Sequence, residues 1–395
     1  MKHHLSPRPV APIDYSLCWV VGLLLVFGVV MVYSSSIALW EADRNLNLNY
    51  TPTHFALRHV VLLAFSCVVA WFAFHISPQG WQTIAKGLGA AVLLLLVLVL
   101  IPHVGVQAGG ARRWLSLGVT QFQPSELAKW AIVLYAADYS VRKQAWDRVH
   151  TAPELKVFLS MVIPMLVILA LGGFLLLMEP DMGAFLLISI IAIGVLFFGG
   201  LNARIFACIV IALLVVFILI IALSEFRRER IFAFLKPFSA ANKSNGAAYQ
   251  LTAALIAMAL GGFFGKGLGT SIQKLNWLPE AHTDFILAII GEELGWIGVC
   301  IVIGAFFWLT QRITVIGRAA IQRGEMFSGL LAFGVALWIG SQAFIHIGVN
   351  MGALPTKGLT LPLVSYGGTA LCMNLVALAA VLRIDYENRQ RLYGR

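Results

Sequence analysis

From residue 205 to residue 223 the chain reads IFACIVIALLVVFILIIAL, an apolar run without a single charged, amide or hydroxyl side chain. About 20 such residues in a helix cross the hydrocarbon of a bilayer, and water offers so long a run no comparable burial. Similar runs recur, and spans are read at about 15–36, 54–75, 81–101, 125–140, 157–177, 182–199, 203–223, 284–308, 327–348 and 363–383. The fourth is short and carries charge. Composition agrees, with 60% hydrophobic and 12% charged residues, where a soluble domain carries roughly a quarter charged. The expected fold is an all-α polytopic membrane protein with about ten transmembrane helices, a single domain over 1–395 without linker, low-complexity stretch or obvious repeat. The first span reads as a retained helix. It is too long for a signal core, no Ala-x-Ala site follows, and the next spans start soon after.

Basic residues near span ends set orientation. With the N-terminus inside, the inner loops hold Lys2, Arg8, Arg142, Lys143, Arg148, Lys156, Arg204, Arg312, Arg318, Arg323, Arg383, Arg389, Arg391 and Arg395. The short outer loops hold few: Arg44, Arg58, Arg112, Arg113 and Lys357. The longest loop, about 224–283 between the seventh and eighth spans, also falls outside, with seven basic against three acidic residues. Long loops escape the orientation rule, so this excess points to an anionic partner outside. Within that loop, Tyr249–Phe264 is apolar, broken by glycines and too short for a span, which suits a re-entrant or surface-lying helix.

Several classes are excluded. Much of the net charge of +10 is the inner-face bias, and no compact basic domain exists to hold nucleic acid. Cys18, Cys67, Cys208, Cys300 and Cys372 all fall in spans without a CxxC pair, and read as small apolar residues. The nine histidines show no HxxxH or HExxH spacing, so no structural metal site is expected. Gly265-Lys266-Gly267-Leu268-Gly269 looks phosphate-binding, yet the Walker spacing is wrong and no Ser or Thr follows the lysine. The sequons at Asn49 and Asn242 carry little weight alone. The tail 384–389 reads as a solvated stub.

A charge inside a bilayer costs at least about 2.5–3.5 kcal/mol, which makes such residues functional candidates. Three segments stand out. Arg112-Arg113-Trp114 precedes Gln123-Pro124-Ser125-Glu126-Leu127-Ala128-Lys129, where Pro124 suits the first helical position and Gln123 its cap. Glu126 and Lys129, three apart, can pair; an ion pair fastening two helices and a charged wall beside a polar substrate both fit. Leu278-Pro279-Glu280-Ala281-His282-Thr283-Asp284-Phe285 leads into a helix with Asp284 in its first turn, either a cap or a reactive acid. Glu292 and Glu293 follow on that helix, with Glu292 about 12 Å deeper, and read as buried partners of interior Lys or Arg. Residues 354–368, rich in proline and glycine, leave irregular backbone at the membrane edge, which persists only when protein buries it or it lines a wet cavity. Lys357, Ser365 and Tyr366 are its polar contributors.

An exposed carboxylate, several cations and membrane-level grooves suit an amphipathic substrate with an anionic head, most simply phosphate, on a lipid tail. Arginine forks bind phosphate bidentately and lysine acts as a compact charge. A transfer reaction needs a base for the attacking hydroxyl and cations for the departing phosphate. Asp284 fits the first role, and a helix N-terminus would keep it ionised.

These motifs, with Glu179-Pro180-Asp181-Met182-Gly183, Gly267-Leu268-Gly269, Gln273-Lys274, Glu292-Glu293-Leu294-Gly295 and Thr356-Lys357-Gly358-Leu359-Thr360-Leu361-Pro362, are long and ordered. Through them nearly the whole chain resembles the SEDS family (shape, elongation, division and sporulation), and with Leu382-Arg383-Ile384-Asp385-Tyr386 its division branch. The resemblance implies a peptidoglycan glycosyltransferase of the bacterial inner membrane, at the division septum, with cytoplasmic termini. Such enzymes polymerise lipid II and release undecaprenyl pyrophosphate. The family's essential acid maps onto Asp284. Arg113, Lys129, Lys274 and Lys357 are then candidates for the pyrophosphate, in that order, with Glu126, His282 and Ser365 as further substrate contacts. No firmly bound cofactor is implied; a divalent cation is compatible, without a dedicated ligand cluster. The implied partners are lipid II, the growing glycan strand, a cognate class B penicillin-binding protein and other division proteins. The chain departs from the family at Ala248 and Ala254, at Lys236-Pro237-Phe238-Ser239-Ala240, which lacks an acid, and at His346, where asparagine is usual. A lipid II flippase and a catalytically silent scaffold are the rival readings.

Overall fold

The computed structural model describes residues 13–38, 51–108, 111–116, 118, 121–143, 162–239 and 246–392. Lys2, Arg8, Arg44, Arg148, Lys156, Ala240, Arg395, the asparagines of both sequons and residues 157–161 of the expected fifth span lie outside them.

Side-chain caps fix several helix starts. Asp14 accepts from the backbone N–H of Ser16 and Leu17 at 3.1 and 3.2 Å and opens α1, Tyr15–Ser36. α2 is His54–His75. Ser77 caps α3, Pro78–Leu100, with Pro78 in the first turn, so this helix begins before the expected residue 81. Pro124 opens α4, Pro124–Arg142. α5 is Ile163–Met178; Asp181 caps α6, Met182–Phe198; Asn202 caps α7, Ala203–Ala222. α8, Glu225–Leu235, and α9, Gly246–Gly261, occupy the long loop. α10 runs Ile286–Gln322, α11 Met326–Asn350 and α12 Gly368–Leu392. Among the described residues, seven helices are long and apolar enough to cross a membrane, and α5, α6 and α9 are shorter apolar helices. The chain is a polytopic helical membrane protein.

Three departures from expectation matter. Between α3 and α4 lies a small antiparallel sheet, β1 (Gly105–Ala108), β2 (Ala111–Ser116) and β3 (Gln121–Phe122), which puts Arg113 on a strand. The tail is a continuation of α12, with Ile384, Asp385 and Asn388 buried. Arg389 binds Asp385 at 2.7 Å, and Arg312 of α10 pairs with Asp14, which ties this end of the bundle together. The last helix starts at Gly368, later than 363, because the preceding residues form the irregular loop.

α4, α10 and α11 form the interior, whereas α1, α2 and α7 present Trp19, Phe65 and Ile218 outward, as lipid-facing helices should. The three charges inside α4 are thus directed into protein: Glu126, Lys129 and Asp138 are all buried. Alternation of the helices brings the α10 and α12 N-termini, the α11 C-terminus, the α5–α6 turn and the sheet to one end.

α10 is broken inside its length. Gly295 adopts φ 66°, ψ −165°, a region only glycine occupies readily. The freed backbone groups find partners in residues 262–267: Lys266 and Gly267 N–H donate to the Glu292 and Glu293 carbonyls at 3.0 Å each, and Trp296 N–H donates to Gly262 O at 3.0 Å. α9 therefore dips into the bundle and meets α10 about 8 Å below its start, after which the chain returns to the same end. The re-entrant alternative holds, and the Gly265–Gly269 segment serves this docking. A Cβ on Gly295 would lie 2.3 Å from the Gly265 nitrogen. Gly295→Ala is expected to cost more than the about 1–3 kcal/mol of the conformation alone, seen as a lower Tm in detergent. Gly304→Ala, in open space on the same helix, should leave Tm unchanged or raise it.

Candidate active site

Asp284 lies two residues before α10, outside the first turn in which the sequence places it. Three successive carbonyls hold this approach. Tyr366 N–H donates to His282 O at 3.0 Å, Ser365 Oγ to Thr283 O at 2.7 Å, and Asn350 Nδ2 to Asp284 O at 3.0 Å. Asn350 Oδ1 also accepts from Ala288 N–H at 3.1 Å, capping the helix that follows. The irregular loop after α11 thus docks its backbone and side chains onto the His282–Asp284 segment.

Around the half-buried Asp284 stand charges from four further elements. Arg113 on β2 donates from Nε to Glu179 O at 3.0 Å and from Nη2 to Pro180 O at 2.6 Å, so the α5–α6 turn aims it. Arg230 of α8 and Lys357 of the loop after α11 repel each other, and Arg113 and Arg230 both act on Asp284. Burial pushes the Asp284 carboxyl up to about 7 and Glu280 adds to that; Arg113 and Arg230 pull it down, and Asp181 pushes it slightly up. The expectation of a fully ionised acid at neutral pH is therefore corrected. The residue lies beyond the helix end whose dipole would have held it low, and desolvation wins. Burial and the Arg230 charge also push the Lys357 ammonium down. Glu179 is fully buried, neither of its carboxyl oxygens has a hydrogen-bond partner among the described residues, and burial and Asp181 push it up to about 8. At pH 7 its protonated form is favoured.

Other sequence candidates lie elsewhere or are already engaged. Lys129 Nζ binds Glu126 Oε2 at 2.7 Å and Gln342 Oε1 at 2.8 Å, below the Trp338 ring. The ion pair lies within α4, and the bond from Lys129 to Gln342 fastens α4 to α11. Lys274 Nζ binds Glu293 Oε1 at 2.8 Å and Ser34 Oγ at 3.1 Å, joining the return segment to α10 and α1. Glu293 thus has the interior lysine expected of it. Glu292 does not: it accepts from Ser271 Oγ at 2.6 Å and Ile272 N–H at 2.9 Å. The Ser365 hydroxyl is committed to backbone, donating to Thr283 and accepting from Leu361 N–H at 2.9 Å. His282 packs with Phe55 and Tyr366, ring centroids 5.0 and 5.5 Å away, beside the acid. Arg230 was not singled out by sequence, because its basic cluster 227–230 counted only as loop charge. Among the described residues no group of three His, Cys, Asp or Glu side chains is placed to hold a metal ion.

Residues 15–390 match the profile of the family of FtsW, RodA and SpoVE, described as cell cycle protein. The chain belongs to this family. The FtsW/RodA/SpoVE relatives include a probable peptidoglycan glycosyltransferase FtsW of Burkholderia thailandensis, 50% identical over 96% of this chain and 80% of the relative. Among solved structures, a chain of a peptidoglycan synthase complex that coordinates polymerization and crosslinking superposes with TM-score 0.73 at 27% identity, covering 96% of this chain and 99% of that one. The rod shape determining protein RodA of Thermus thermophilus gives 0.65 at 27% identity, covering 98% and 99%. In this FtsW/RodA/SpoVE chain, the two kinds of lysine should separate experimentally. Lys274→Met leaves the buried Glu293 without its cation, with only Ser34 and Ser271 bonding it, a loss of about 3–5 kcal/mol read as a lower Tm. Adding Glu293→Leu should recover most of it, and Lys357→Met should leave Tm near wild type.

Proposed function

We propose that this chain is a peptidoglycan glycosyltransferase that polymerises lipid II, with Asp284 as general base. The observation that carries the reading is the half-buried carboxyl of Asp284 with Arg113 and Arg230 acting on it and Lys357 beside Arg230. The name of the Burkholderia relative and the peptidoglycan synthase complex among the structural neighbours support it. A hydroxyl of the incoming sugar gives its proton to Asp284 as its oxygen bonds to the anomeric carbon of the growing strand, with inversion. The bond from that carbon to the diphosphate breaks, and its electron pair leaves on undecaprenyl pyrophosphate. Arg113, Arg230 and Lys357 take up the charge that develops there. Lys129 and Lys274, held in buried pairs, drop out of that role. A divalent cation carried with the diphosphate is compatible with this reading and would share that task.

The basic residues of the opposite end, Arg142, Lys143, Arg204, Arg312, Arg318, Arg323, Arg383 and Arg391, support a cytoplasmic face there, with both termini inside and Asp284 at the periplasmic face of the inner membrane. The partner of this reading is a class B penicillin-binding protein that crosslinks the new strand at the septum, with other division proteins around it.

A base near 7 suits work at neutral pH. Polymer formation from lipid II in detergent should rise with pH through a one-proton limb centred near 7, since only the deprotonated acid accepts the hydroxyl proton. Asp284→Asn should lower the rate about 10²–10⁴-fold at unchanged Tm. Wild-type polymerisation by that variant removes Asp284 from the mechanism. A chain that forms no polymer in detergent but carries lipid II between leaflets of a vesicle is a flippase.

A further inference from the structure

Gly358 sits on the exposed part of the loop after α11, against the carboxylate of Asp284. A Cβ built there would lie 3.1 Å from Asp284 Oδ2 and 3.9 Å from its Cγ and, its chain neighbours aside, would meet no other heavy atom of the described residues within 4 Å. A hydroxyl surrendering its proton to that oxygen has to approach to about 2.6–3.2 Å. Any side chain at position 358 would therefore occupy the shell in which the acceptor oxygen must stand.

The placement of Gly358 is imposed by α11. Gln342, His346 and Asn350 follow one another at four-residue spacing, so they share a helix face. Gln342 Nε2 donates to Thr360 O at 2.8 Å, His346 Nδ1 bonds Leu359 O at 2.8 Å, and Asn350 Nδ2 donates to Asp284 O. One buried face of one helix thus sets the register of the two segments that carry Gly358 and the acid. The donor to Leu359 is the ring of a buried histidine, His346.

We propose that Gly358 forms the subsite for the acceptor sugar hydroxyl on Asp284, the missing side chain being the space that the hydroxyl fills. The inference rests on Asp284 being the general base. A saturated sugar hydroxyl enters from the exposed side, with the Gly358 backbone as its back wall, and the diphosphate of the other substrate lies toward Arg113, Arg230 and Lys357. The residue is a specificity determinant: it admits a secondary hydroxyl and leaves no room once a methyl stands in its place.

The test is Gly358→Ala in the full chain, assayed with lipid II in detergent. The added methyl meets only the carboxylate, so Tm should match wild type. The expected result is a fall in kcat of about 10²-fold, with the KM for lipid II changed less than about twofold, and a pH limb moved upward because the methyl removes water from the carboxylate. Gly358→Ser should lose activity likewise, since it carries the same Cβ. Gly367→Ala, whose methyl would meet only Ala370 and Thr360 carbons at 3.6 Å on the same loop, should behave as wild type. A Gly358→Ala chain with wild-type kcat overturns the proposal, as does a loss of activity matched by a lowered Tm. An active Asp284→Asn variant overturns the base assignment instead, whereas an inactive Asp284→Asn beside an active Gly358→Ala sinks the subsite alone.

Discussion

In a lipid-embedded chain every main-chain N–H and C=O must find a partner inside the protein, because hydrocarbon supplies none. Here the non-helical segments 262–285 and 351–367 sit against the ends and the break of α10, and their satisfaction organises the molecule. Residues 262–267 take the hydrogen bonds that the kink at Gly295 releases. The carboxylate of Glu292 receives the backbone of Ile272, and Asn350, Gln342, His346 and Ser365 each engage a main-chain carbonyl of the same region. These buried polar side chains thus work as substitutes for water on irregular backbone. The acid they surround is held in place by its own carbonyl and stays half-buried because its carboxyl is not needed for that task.

The same criterion separates the cations. Lys129 and Lys274 lie deep and each has a carboxylate within 2.8 Å. A buried ion pair of this kind offsets desolvation without leaving charge to spare. Lys357 lies nearer the surface, and its strongest charged neighbour is another cation, Arg230. Arg113 spends its hydrogen bonds on main-chain carbonyls, which orient the guanidinium and leave its charge uncompensated by them. Positive potential accumulates on the side of Asp284 where these residues meet, and an anion gains most there.

How much of this was legible in the sequence follows from which patterns are local. Helix periods, proline starts such as Pro124 and the long apolar runs are local, and most of the spans appeared within a few residues of their read positions. The pair Glu126–Lys129 and the re-entrant segment near Tyr249 were legible for the same reason. The sheet that carries Arg113 was not, because its strands are short. Nor was the commitment of Lys274 and Ser365 to structure: Lys274 reaches Glu293 and Ser34, 19 and 240 residues away, and Ser365 reaches Thr283, 82 residues away, separations that spacing does not encode. Arg230 stayed hidden because a run of loop arginines looks alike whether or not one of them turns toward a carboxylate. The tail of α12 read as a stub because its charges are frequent, and only the folded bundle supplies Asp14 and Arg312 to receive them.

The charge arrangement has a further consequence for the proposed reaction. Arg113 and Arg230 hold the Asp284 carboxyl below the value that burial alone would give it. A diphosphate drawn to those two cations offsets their charge and adds its own, and both effects raise the proton affinity of a neighbouring carboxylate. Occupancy of the donor site therefore strengthens the base at the moment an acceptor hydroxyl has to be deprotonated. Departure of the diphosphate restores the cations, lowers the affinity again and returns the proton to water through the open side at Gly358. A permanently ionised acid at a helix start would lack this coupling, and a carboxyl fixed by a close ion pair, as Glu293 is by Lys274, would have lost it altogether.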